Sequence, residues 1–315
     1  MPTPRDFVFG PWRAVLVLGV TQILAWGSLF YPPVLTVPLI AAERGWSMTF
    51  AMAGFSLALL VAGMASPRVG RLIDRHGGHW VMPVGSLMGA LGLIVLVSVR
   101  HPVAYLAAWM LLGLAIAASL YDPAFATLGR IFGAAARRPI TVLTLAGGLA
   151  STVSWPVTHL LIDAVGWRGT YLVYAAVLAL VAAPLHAFVL PRRRADPAAR
   201  PDGVPMHIGP VLPPHGWPFV IVAAAFAAYA FVPSGLSAHL LAIFGRAGID
   251  PATVVMIGAL FGPAQVTSRI CELVFARGVH PLMVARFAVG LILAAFALLA
   301  LLGISAGVAA IFMLM

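Results

Sequence analysis

The chain has 315 residues, of which 62% are hydrophobic and only 9% charged, whereas a soluble domain is nearer a quarter charged. A mean hydropathy of +1.03 leaves too little polar material to coat a soluble globule. The net charge of +10 comes from 19 basic residues that are all Arg, set between apolar runs and not in a stripe with interleaved aromatics, which argues against a nucleic-acid surface. The one cysteine, Cys271, lies in an apolar run and excludes an internal disulfide.

Apolar runs of about 20 residues, each long enough to cross a bilayer, recur along the chain. They predict spans at 12–39, 47–69, 80–99, 102–132, 139–165, 167–190, 217–244, 251–275 and 281–304, with a tenth apolar segment beginning near Val308. The first run follows Met1 to Arg13 with no small-residue cleavage site, so it reads as a retained span and not a signal peptide.

Arginine placement orients the spans. With the N-terminus inside, the inner ends hold Arg5, Arg13, Arg68, Arg71, Arg75, Arg130, Arg137, Arg138, Arg192, Arg193, Arg194, Arg200 and Arg277, and the outer ends only Arg44, Arg100, Arg168 and Arg246. This bias predicts a cytoplasmic N-terminus and a multi-pass protein of a bacterial-type inner membrane.

The stretch 191–216 is rich in Pro and opens on Arg192, Arg193 and Arg194. Too polar to bury a core, it reads as a cytoplasmic linker between a six-helix bundle over 12–190 and a second bundle over 217–315. A weak repeat fits this division. Gly77-Gly78-His79-Trp80-Val81-Met82 and Gly278-Val279-His280-Pro281-Leu282-Met283 both read G-x-H-x-x-M, from position 77 to position 278. Carried over, the same offset places the end of a full second half near position 391, beyond Met315. The second bundle is therefore expected to be incomplete, and a non-functional truncated remnant stays open beside an active protein.

Gly70-Arg71-Leu72-Ile73-Asp74-Arg75-His76-Gly77, placed in the loop after the second span, resembles the G-x-L-x-D-R-x-G signature of the major facilitator superfamily. The resemblance implies an all-α membrane protein of two helical bundles working by alternating access. It gives Gly70, Arg71, Asp74, Arg75 and Gly77 the role of a gating motif, in which the glycines permit close backbone approach and Asp74 pairs with Arg71, Arg75 or a helix N-terminus.

Three further stretches, Trp26-Gly27 to Pro32, Asp122-Pro123 to Arg130, and Arg137-Arg138-Pro139 to Gly148, resemble the monocarboxylate-porter and oxalate/formate branch of that family. There are departures. Pro33 stands where monocarboxylate porters carry a lysine, and Gln265 stands where they carry an aspartate four residues before Arg269. Proton-coupled lactate-type transport is therefore not carried over. What the resemblance implies is a secondary active transporter of a small solute, with an organic anion preferred, and symport, antiport and the coupling ion open. No cofactor or metal and no nucleic-acid partner is expected, and a monomer in the lipid bilayer is.

Ionisable groups inside spans are functional candidates. Asp122 is either a coupling or gating carboxylate or a hydrogen-bonding partner of a neighbouring helix at a Pro123 kink. Arg269 suits an anion, since guanidinium binds carboxylate in bidentate fashion, although Glu272 one turn on offers an internal partner. Ser151, Trp155 and His159 share one face of the fifth span, where His159 is either a coupling group or a hydrogen-bonded helix residue. Thr21, Gln22 and Trp26 in the first span, with Gln265 in the eighth and Tyr229, Ser234 and His239 in the seventh, complete the cavity candidates. A polytopic membrane enzyme needs clustered His or carboxylates. With nine Asp and Glu in all, and no Lys for a nucleotide-binding G-x-x-x-x-G-K loop, that reading is disfavoured.

Overall fold

The structure is a computed structural model that describes residues 10–192, 216–275, 279 and 281–315. Among these there is no strand. In chain order the helices are α1 (Arg13–Ala25), α2 (Pro33–Arg44), α3 (Met48–His76), α4 (Gly78–Ser98), α5 (Pro102–Ser119), α6 (Tyr121–Phe132), α7 (Arg137–Gly148), α8 (Ala150–Val177), α9 (Trp217–Arg246), α10 (Pro251–Ala259), α11 (Phe261–Phe275), α12 (Pro281–Leu302) and α13 (Ala306–Leu314). Seven stretches of the described residues are long and apolar enough to cross a membrane, one of them the 53-residue Arg137–Val189.

That last stretch is two passes. At 1.5 Å per residue it is far longer than a bilayer core, and it is broken at Gly166, whose φ of +71° is a left-handed conformation open to glycine. The break falls where the sequence divides the fifth and sixth spans. Of the linker, 193–215 lies outside the described residues, as do Gly278 and His280 of the second repeat copy.

Four of the spans expected to be continuous are interrupted, the fifth at Leu149 between α7 and α8. Proline is at three of the breaks, Pro263 following that of the eighth span. In the first span Pro32 and Pro33 have no N–H to offer the carbonyls one turn back. The helix there widens to a π-turn over Trp26–Phe30, closed by Tyr31 N–H on the Trp26 carbonyl at 3.1 Å. In the fourth, Pro123 has no N–H for the Ser119 carbonyl and its ring collides with it. The chain steps out at Leu120 (φ −86°, ψ −151°) between α5 and α6. The eighth divides at Leu260 into α10 and α11. Breaks of this kind survive in a membrane only where their freed polar groups find partners in the protein.

Small residues let the helices approach. A side chain at Gly113 on α5 brings its Cβ to 2.4 Å from the Ala58 carbonyl oxygen of α3, and one at Gly54 meets the Trp109 ring at 2.3 Å. The α3–α5 crossing is thus backbone against backbone, as in membrane helix pairs generally.

The two ends of the helices differ. At one end Arg130 of α6 donates to the carbonyls of Ile73 and Asp74, and Arg138 lies 6.0 Å from the Trp12 ring. At the other, Arg168 binds the Glu43 carboxylate in bidentate fashion and Trp167 donates to it at 2.8 Å. Beside this pair the Arg44 guanidinium lies 5.0–5.7 Å from the Trp46, Tyr105 and Trp167 rings and donates to the Leu96 carbonyl at 3.1 Å. Residues that the sequence assigns to one membrane face thus meet at one end of the bundle.

Gly113→Val is expected to lower thermal stability in detergent by about 1–3 kcal/mol through overpacking. Gly70→Ala, at a position where an added Cβ has nothing within 4 Å, is expected to leave stability unchanged or raise it, by up to about 1 kcal/mol. Equal melting temperatures for wild type and Gly113→Val overturn the close-crossing account.

Candidate functional site

The break at Leu120 builds the site. The Ser119 carbonyl, denied a donor by Pro123, accepts from Gln22 Nε2 at 2.8 Å, and the Leu120 carbonyl accepts from the same amide at 3.2 Å. Gln22 is fully buried on α1. Its amide oxygen in turn accepts from Trp26 Nε1 at 3.1 Å. One side chain therefore satisfies the freed Ser119 carbonyl, adds a second donor to the Leu120 carbonyl, which also accepts from the Ala124 N–H at 3.4 Å, and fixes the tryptophan that follows it.

Trp26 gathers the aromatic residues. Its ring lies 4.7 Å from Phe30 and 5.1 Å from Tyr121, and Tyr121 stacks on Phe125 at 5.2 Å. Tyr31 meets Trp155 edge-on at 5.5 Å. Trp155 is fully buried, and its indole N–H has no acceptor among the described residues. The rings come from the first, fourth and fifth spans and face the junction with α10 and α11.

That junction is close. Thr152 of α8 donates to the Ala259 carbonyl at 3.1 Å, so the break of the eighth span is also satisfied from a neighbour. A Cβ on Gly262 falls 2.7 Å from the Gly148 carbonyl oxygen. On α11, Gln265 lies beside Gly148. Arg269, one turn further on the same face, is near enough for its charge to act on the Tyr121 phenol. Gln22, Trp26, Trp155, Gln265 and Arg269 therefore line one region, with Tyr121, Tyr31 and Phe30 added to them.

Asp122 lies elsewhere. It is exposed on the far side of α6, where Ser66 Oγ of α3 donates to it at 3.2 Å. Of its two readings, this contact fits the carboxylate bonded to a neighbouring helix. It also places an anion in the first turn of α6, where the helix dipole favours it. His159 continues the Ser151–Trp155 face but reaches its open end, 3.6 Å from Asp163. His239 is exposed on α9. The side chains of Tyr229, Ser234 and Glu272 lie outside the described residues.

The glycine-arginine signature sits differently from its expected place. α3 runs on to His76, so Gly70 to His76 form its last two turns and only Gly77 is loop. Gly77 has φ +88°, a conformation that ends the helix and suits glycine. Gly70 has no close neighbour. The Asp74 carboxylate has no hydrogen bond or ion pair among the described residues. Its carbonyl is the polar contact instead, held by Arg130, a cation at a helix C-terminus.

His186 was missed by the sequence reading. It is fully buried in a π-turn near the end of the sixth span, with Ser86 Oγ 3.2 Å from Nδ1 and Thr21 Oγ1 2.8 Å from Nε2. An ionisable group inside an apolar run, the signal that singles out Asp122, marks it as well. Among the described residues no group of three His, Cys, Asp or Glu is placed to hold a metal ion.

A polytopic fold, all-helical among the described residues, with broken spans and an aromatic junction, defines a multi-pass integral membrane protein. The Major Facilitator Superfamily profile matches residues 15–315, and the chain belongs to that family. It is similar to monocarboxylate transporter 11 of Homo sapiens, with 35% identity over 150 residues, 46% of this chain and 31% of that protein. It is similar to an MFS-type efflux pump of Mycolicibacterium smegmatis, with 30% identity over 200 residues, 60% and 44% of the two chains. A match to monocarboxylate transporter 3 of Mus musculus has 30% identity over 176 residues and covers 54% and 35%. The matched stretches span less than half the length of each of these relatives.

Gln22→Leu removes the donor for two carbonyls and the acceptor for Trp26. It is expected to cost about 1–3 kcal/mol for each group left unpaired and to free the Trp26 ring, read as a lower melting temperature and altered tryptophan fluorescence. A Gln22→Leu protein with wild-type stability and emission overturns this role.

Proposed function

We propose that the protein is a secondary active carrier that moves a small organic anion by alternating access. The first six spans and the helices after residue 216 act as two bundles, joined by a cytoplasmic linker, that rock about the junction described above. The observation that carries this reading is the aromatic junction of Trp26, Tyr31, Tyr121 and Trp155, with Gln265 of α11 beside Gly148 and Arg269 one turn further on that helix. An exposed cation one turn beyond an aromatic junction suits a carboxylate that also carries an apolar group. The names of the monocarboxylate relatives support the anion. The family supports a transporter over an enzyme.

The remaining roles follow from this reading. Gly70, Arg71, Asp74, Arg75 and Gly77 gate through the end of α3, which Arg130 ties to α6. The buried indole N–H of Trp155 donates to the solute. His159, at the open end of the Ser151–Trp155 face, is the group through which a proton gradient couples, and Asp122 holds α6 to α3 through Ser66. The arginine bias puts the N-terminus in the cytoplasm of a bacterial-type cell, and the carrier works as a monomer without a cofactor.

The test is uptake of labelled monocarboxylates and dicarboxylates into proteoliposomes, with and without an imposed pH gradient. Gradient-dependent uptake is expected, and Arg269→Ala is expected to reduce it about tenfold or more, the loss of one charge-assisted contact. No uptake of any anion sinks the carrier reading. Uptake unchanged in Arg269→Ala removes the anion site from Arg269 but leaves the carrier.

A further inference from the structure

A cavity of about 490 Å³ opens on the outside of the bundle, away from the junction. Val69, Leu72 and His76 of α3 form one wall and Trp80, Val84 and Met88 of α4 the other. Leu114 and Ala118 of α5 form its floor. Close packing of α5 against both neighbours, through Gly113 on α3 and through Gly92 on α4, leaves α3 and α4 splayed above it. Leu72, Trp80, Val84 and Leu114 are all exposed. The groove they line is open at the surface of the described residues.

The cavity has a charged end. His76 and Trp80 lie beside the helix termini, and Trp80 is 66% exposed, the usual place of an interfacial tryptophan. His76 Nδ1 bonds to the Leu72 carbonyl at 3.2 Å, which turns its other nitrogen outward. Helical periodicity puts Arg68 four residues before Leu72 and Arg75 three residues after it, flanking the lining stripe on its open side. Both are exposed, and long enough to snorkel to a headgroup. Asp74 points to another side of the helix, and Arg130 is engaged with the α3 carbonyls. The mouth is therefore cationic and the body apolar.

We propose that this groove is a binding site for an anionic phospholipid, with one acyl chain lying on Leu114 and Ala118 and the phosphate held by Arg68, Arg75 and His76. A basic pocket between membrane helices is the chemistry that selects anionic headgroups. A neutral lipid fills the apolar groove but leaves the arginines without a fixed anion. The site lies behind the stretch of span 4 that ends at Leu120, so its occupant buttresses the broken helix from the lipid side. It depends on neither the solute nor the direction of transport.

The experiment uses the full chain in nanodiscs of phosphatidylcholine, with phosphatidylglycerol added in one arm and glycerol phosphate in another. Lipid retained after extraction is read by native mass spectrometry, and stability by thermal unfolding. Phosphatidylglycerol is expected to be retained over phosphatidylcholine by about tenfold, the order given by one to two arginines at a membrane surface, and to raise the melting temperature. Glycerol phosphate is expected to do neither. R68Q/R75Q is expected to keep the wild-type melting temperature in phosphatidylcholine and lose the preference. Should that variant fail to fold, A118L, which fills the floor, is expected to lower retention of both lipids. Equal retention of the two lipids by the wild type, stabilisation by glycerol phosphate alone, a preference that survives R68Q/R75Q, or unchanged retention in A118L overturns the proposal.

Discussion

The double donation from Gln22 to the Ser119 and Leu120 carbonyls is the interaction on which the junction depends. A proline inside a membrane helix leaves the carbonyl one turn back without a donor, and hydrocarbon supplies none. In the fourth span Pro123 does this to Ser119 and the chain steps out at Leu120. A primary amide is suited to repair it. It has two N–H groups for the two carbonyls and keeps an oxygen for the Trp26 indole. An apolar residue at position 22 leaves the Ser119 carbonyl and the Trp26 indole N–H without these partners, while the Leu120 carbonyl keeps the Ala124 N–H at 3.4 Å.

The repair fixes more than the break. With Trp26 tied to Gln22, the Trp26 ring stands against Tyr121, the first residue of α6, and Tyr121 reaches Gly147 and the charge of Arg269. The π-turn at Trp26–Phe30 turns Phe30 and Tyr31 toward the same place. The eighth span repeats the arrangement, since Thr152 from α8 donates to the carbonyl of Ala259 at the break before α11. In both cases a side chain of one span closes the gap in another. The spans nearest the junction are held by these few polar bonds more than by continuous helix.

Much of this was legible in the sequence, for stated physical reasons. The places of most spans follow from apolar run length, although the helix of the second span runs on to His76 where the apolar run ends near Val69. The turn at Gly166 falls between Val165 and Trp167 as the pattern required. Gln22, Trp26 and Arg269 are polar or amphipathic groups in apolar runs, and cost alone marks them. Their pairing was not legible, because hydrogen bonds between residues 97 and 98 positions apart leave no trace in local periodicity. Pro123 announced a kink but not which helix would satisfy it. The placing of the signature as a loop failed for a local reason. Its arginines and aspartate read as surface polarity, yet a helix end at a membrane face carries the same residues.

That difference bears on how the signature works. Were Gly70 to Gly77 a loop, its glycines would serve backbone flexibility at both ends. On a helix that ends at Gly77, flexibility is confined to one residue, and Gly70 has open space around it. The rigid part then carries Arg71, Asp74 and Arg75 as a unit, fixed through the carbonyls that Arg130 holds at the end of α6. α6 begins at the break that Gln22 repairs and ends, 12 residues on, beside the end of α3 that Arg130 holds. The aromatic junction and the signature thus lie at the two ends of one short helix, the first at its N-terminus and the second at its C-terminus.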